Sequence, residues 1–86
     1  MSQIKCDGVN YRKGFIEVST QIHDKHINIE TWNIQPDVNI SKNQIAVGQF
    51  NNDDVIGNTE IELSVEQAEI LIKKLTEGIN TIRNGS

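Results

Sequence analysis

The sequence predicts a small α+β domain: an antiparallel β-sheet of about four strands, with room for an extra N-terminal hairpin, and one C-terminal α-helix packed on one face. Three observations carry this. Segments with apolar residues at every second position come first, and one segment with a helical period comes last; alternating βαβ units would interleave them. The apolar residues are mostly β-branched, with 14 Ile and 6 Val against 3 Leu, and such side chains suit a pleated surface better than a helix. The 86 residues leave room for one core only, so 1–86 is read as a single domain.

In chain order, Asp7-Gly8 lies between Ile4-Lys5-Cys6 and Val9-Asn10-Tyr11. An Asp-Gly pair suits a type I′ turn, so a short N-terminal hairpin is expected there. Phe15 to Ile22 alternates cleanly: Ile16, Val18, Thr20 and Ile22 fall on one face, and Phe15, Glu17, Ser19 and Gln21 on the other. His23-Asp24-Lys25 reads as a turn and His26 to Ile34 as the return strand, with Ile27, Ile29 and Thr31 opposite Asn28, Glu30 and Trp32. Pro36 ends it, since it has no N–H and pushes Gln35 to extended geometry. Gln44 to Phe50 is expected to be a third strand, Asn51-Asn52-Asp53-Asp54 a polar turn, and Thr59 to Leu63 the last strand, with Ile61 and Leu63 inward.

The helix begins at Ser64-Val65-Glu66-Gln67, which has the form of a capping box. Val65, Ala68, Ile72, Leu75, Ile79 and Ile82 recur at spacings of three and four, Leu71 widens the stripe, and Asn84-Gly85 is a stop signal. That stripe keeps heptad spacing for less than three heptads, too short to argue a coiled coil, and the inward sheet residues need a cover. The helix is therefore expected to lie on its own sheet. Ile70 lies opposite the stripe as a single apolar residue on the polar side. The stretch from Glu60 to Ala68 resembles the strand-into-helix close of many small bacterial and phage proteins, a pattern general enough that it transfers no residue roles.

Composition narrows the function classes. The chain has 12 Asp+Glu against 8 Lys+Arg, a net charge of −4, which is not the basic footprint of a nucleic-acid binder. No apolar run is long enough for a membrane span and no secretory h-region is visible, so a cytoplasmic protein is expected. One Cys excludes an internal disulfide framework. The Ile and Asn excess fits an AT-rich genome, such as that of a bacterium or its phage. A core this small with no covalent or metal staple points to a homodimer.

Each chemical constellation is thin. His23-Asp24-Lys25-His26 offers zinc-type ligands, yet a site needs three or four that converge, so no metal is expected. Cys6 with His23 or His26 would make a nucleophile pair, but nothing flanking them supports it. Asn51 to Asp54 lacks the spacing of a calcium loop, and there is no phosphate-binding glycine loop. No catalytic residues and no cofactor are assigned. Two-dimensional placement is more informative. If the helix covers the Ile/Val face, then Glu17, Glu30, Glu60 and Glu62 fall on the open one, with Phe15, Trp32 and Phe50 close by. Aromatics ringed by charge mark interaction surfaces. The expected function is thus a non-enzymatic protein-interaction domain: a small regulator, adaptor or inhibitor, of phage or mobile-element type. It would bind a basic protein surface through Glu17, Glu30, Trp32, Phe50, Glu60 and Glu62. The alternative is a small-ligand-binding module with its site at a dimer interface; a Cys/His enzyme ranks third.

Overall fold

The computed structural model describes residues 2–40 and 52–85. β1 (Ser2–Cys6), β2 (Lys13–Ser19), β3 (His26–Ile34) and β4 (Val55–Ser64) form one antiparallel sheet in the order β1-β2-β3-β4, and α1 (Val65–Arg83) follows. This is the α+β architecture that the order of periodic segments predicts. The expected strand at 44–50 lies outside the described residues.

Local chemistry explains each boundary. β2 stops at Ser19, so Ile22 belongs to the turn and is exposed, not inward as its place in the alternation suggested. That turn closes with Lys25 at φ 63°, a left-handed conformation that an L side chain adopts at a cost of ~1–2 kcal/mol. The N-terminal hairpin forms, but β1 pairs with β2, and the connection carries a 3-10 turn at Asn10–Arg12 in place of a two-residue Asp-Gly turn. After β3, Gln35 to Val38 makes a turn with Pro36 at its second position, closed by Val38 N–H donating to the Gln35 carbonyl at 3.1 Å. Gln35 N–H in turn reaches the Asp54 carbonyl at 2.8 Å. The β3–β4 register shifts between Asn33 and Ile34, and the local irregularity leaves Ile56 exposed.

Where the core sits departs from expectation. Among the described residues it is a cluster of Phe15, Ile34 and Ile40, 3 %, 1 % and 1 % exposed, with Trp32, Val38 and Val55 packed against it. In the sheet register Phe15 lies opposite Trp32, and Ile34 lies two residues beyond Trp32 on the same face. That face is the one expected to be open, so Phe15 is corrected from an open aromatic to a core residue. The Gln35–Val38 turn folds the chain back and brings Ile40 over the sheet. Lys13 ties this end together: it is 6 % exposed, and its Nζ donates to Asn10 Oδ1 at 3.0 Å and to the Pro36 carbonyl at 2.9 Å. The Asn10 and Pro36 segments are thereby linked by one ammonium whose burial would otherwise be costly.

The helix forms as read. Ser64 Oγ accepts from Gln67 N–H at 3.1 Å and Gln67 Oε1 accepts from Ser64 N–H at 2.9 Å, completing the capping box. Gly85 sits at φ 80° just past the last turn, and its N–H donates to the Ile82 carbonyl. The stripe, however, is poorly covered. Ile72, Leu75 and Ile82 are 63 %, 59 % and 75 % exposed, and Ala68 is the least exposed position of α1. The expected burial of the stripe on its own sheet is thus overturned. The physical reason lies in the connection. Ser64 pairs with His26 as the last residue of β4 and is also the N-cap of α1. No residue is left to turn the chain back, where strand–helix loops of about 2–6 residues are usual.

Candidate interaction surface

Cross-strand partners in an antiparallel pair share a face, and the register sorts every side chain. Rows of partners run Gln3, Glu17, Glu30, Glu60 and Lys5, Phe15, Trp32, Asn58 across the four strands, with Ser19, Asn28, Glu62 on the far side of the glutamates. Five of the six residues assigned by sequence as partner-binding therefore lie on one face: Glu17, Glu30, Trp32, Glu60 and Glu62. The sixth, Phe50, lies outside the described residues.

The central feature is the row Glu17–Glu30–Glu60. Adjacent strands are ~4.8 Å apart, so three carboxylates are lined up within about 10 Å. Like charges directly opposite destabilise a sheet, and the structure answers this with hydrogen bonds. Trp32 Nε1 donates to Glu17 Oε1 at 3.1 Å. Asn58 Nδ2 donates to Glu30 Oε2 at 3.0 Å and to the Thr31 carbonyl at 2.9 Å. Glu60 is exposed and makes no hydrogen bond or ion pair among the described residues. Trp32 is half-buried, with its ring against the core cluster and its N–H on the acidic row. It is therefore an anchor shared between core and surface, where the alternation alone suggested an open residue.

Glu62 is held apart from that row. Its Oε2 accepts from His23 Nδ1 across the sheet end, and its Oε1 is buried with no partner. His26 uses Nδ1 to donate to the Asp24 carbonyl at 2.9 Å. His23, Asp24, His26 and Glu62 line one open hollow at this end, but among the described residues no group of three or more His, Cys, Asp or Glu side chains is arranged to hold a metal. Cys6 lies opposite Gly14, whose partner on β3 is Asn33. Asn33 is seven residues along β3 from His26, roughly 23 Å at the rise of a strand. The fold therefore does not bring Cys6 and the histidines together. The hollow at His23, Asp24, His26 and Glu62 holds about 530 Å³, and a second, lined in part by Cys6, Gly14, Thr31 and Asn33, about 190 Å³, against ~300–1,000 Å³ for ordinary small-molecule sites.

Sequence reasoning missed two contributors to this surface. Asn58, just before the expected last strand, is the amide that partners Glu30. Gly14, just before the alternating segment from Phe15, is the residue that lets β2 and β3 approach: a Cβ there would run into the Trp32 carbonyl oxygen. The signal for Gly14 was its place inside an otherwise continuous strand, where glycine often marks a close backbone approach.

No family profile, curated protein or solved structure matches the chain. No helix among the described residues is long and apolar enough to cross a membrane.

Proposed function

We propose that this chain is a non-enzymatic protein-interaction domain of the cytoplasm, a small regulator, adaptor or inhibitor that works as a homodimer. It engages a basic surface of another protein through the Glu17–Glu30–Glu60 row, with Trp32 at its border and Glu62 beside it. The observation that carries this reading is the row itself. Register aligns three carboxylates on adjacent strands, and the sheet bears the cost of their repulsion. Opposite charges in those positions would stabilise the sheet instead. Such a row attracts cationic side chains and speeds their encounter, and it repels nucleic-acid phosphates.

Trp32 is the single tryptophan of the chain and donates to the first carboxylate of the row, so it reports on the site. Titration with a Lys/Arg-rich peptide should shift its fluorescence, with affinity falling as salt rises through the range where the Debye length drops below ~10 Å. Glu30→Gln with Glu60→Gln keeps an oxygen for Asn58 and removes two charges; it should weaken binding at least tenfold at low salt. Affinity that is insensitive to both salt and the double substitution would overturn the proposal.

A further inference from the structure

The other face of the sheet carries Ile4, Ile16, Val18, Ile29, Ile61 and Leu63 in register. Ile16, Val18, Ile29 and Leu63 are half-buried, and Ile4 and Ile61 are 52 % and 64 % exposed. The chain thus presents two incompletely covered apolar surfaces, this sheet face and the stripe of α1. Each is of the kind that ordinarily covers the other. We infer that they do so between copies: in the homodimer, α1 of each copy lies across the isoleucine face of its partner. The inference rests on the dimer reading above and adds its geometry.

Three observations support a second copy as the occupant. The direct β4–α1 junction at Ser64 leaves no loop for α1 to double back on its own sheet. The stripe from Val65 to Ile82 is ~26 Å long at 1.5 Å per residue, enough to cross four strands spaced ~4.8 Å apart. The accessible surface is 6666 Å², about 1,500 Å² more than the ~5,100 Å² of a compact chain of this mass. That excess per copy falls in the range obligate homodimers bury, about 1,000–2,500 Å² a side. A two-fold exchange closes both surfaces at once, because each copy contributes one helix and one face. A foreign partner would have to supply both a cover for the sheet and a groove for the helix. Pairing the two helices along their heptads would leave the isoleucine face open.

The test uses two variants. Ile61→Lys spoils the face and Leu75→Asp spoils the helix. In a homodimer of either variant both interfaces are damaged, so each alone should run at monomer mass in light scattering, while wild type runs at twice that mass. An equal mixture contains one native interface per pair, so mixing should restore the dimer mass. A wild-type monomer at every concentration would overturn the dimer reading and the exchange together. A wild-type dimer with no rescue on mixing, or one that Ile61→Lys leaves intact, would overturn the exchange alone. Should either variant fail to fold, Leu75→Cys decides the matter, because Cys6 lies on the isoleucine face. A short bismaleimide should join Cys6 of one copy to the introduced Cys of the other. Links only between the two introduced cysteines, or only within one chain, would overturn the exchange.

Discussion

Phe15 and Leu75 are both large apolar side chains, Phe15 on the glutamate-bearing face of β2 and Leu75 on the apolar stripe of α1, yet Phe15 is 3 % exposed and Leu75 is 59 % exposed. The difference lies in what each element has beside it. β2 is flanked by β1 and β3, and the Gln35–Val38 turn returns the chain so that Ile40 closes over Phe15 and Ile34. α1 follows β4 without a linker and meets the sheet mainly near β4 and β3, at its start. Periodicity therefore sorts side chains by face, while connectivity decides which face the chain buries. A helix of this length gains most of its stability from packing of its apolar side, which makes the uncovered stripe the region that depends on a partner.

The closed end should be the more fragile to backbone change. Gly14→Ala is expected to have the largest effect, because the added Cβ would meet the Trp32 carbonyl oxygen and neither strand can retreat without losing pairing. Thermal unfolding should show no cooperative transition, given that total stabilities of ~5–15 kcal/mol leave little reserve in so small a domain. A melting curve close to wild type would show that the two strands separate more easily than the packing implies.

Next comes the contrast itself. Phe15→Ala should cost ~3–5 kcal/mol, by the same amount at every protein concentration, because its neighbours belong to its own chain. Leu75→Ala should cost little in dilute solution and more as concentration rises, because its cover comes from elsewhere. Urea titrations of both variants over a wide concentration range would check this. Parallel behaviour of the two would erase the distinction between the regions.

The smallest effect is expected at Lys25. Its φ of 63° belongs to the conformation that glycine adopts without a Cβ clash. Lys25→Gly should therefore raise stability by about 0.5 kcal/mol, seen as a slightly higher urea midpoint with an unchanged slope.

Much of this was legible in the residues. The return strand His26 to Ile34, the capping box at Ser64 and Gln67, and the stop at Asn84-Gly85 are local features, set by period and by hydrogen bonds within a turn. The clustering of Glu17, Glu30, Trp32, Glu60 and Glu62 was also legible, because a hairpin register preserves parity across strands. What the pattern could not convey was depth. Parity assigns Phe15 and Trp32 to the same face as the glutamates, but whether that face is wet at a given row depends on a loop folding over it.

Sequence by itself thus determined the fold class, the strand-then-helix order, the helix bounds and the membership of each sheet face, since these follow from side-chain period, capping and turn chemistry within a few residues. Tertiary structure alone decided that the core forms on the expected open face, through the return of Ile40 over Phe15 and Ile34, and that the helix stripe and the isoleucine face are incompletely covered. Both outcomes depend on where connections send the chain: a proline turn that brings it back after β3, and a junction at Ser64 with no residue to spare.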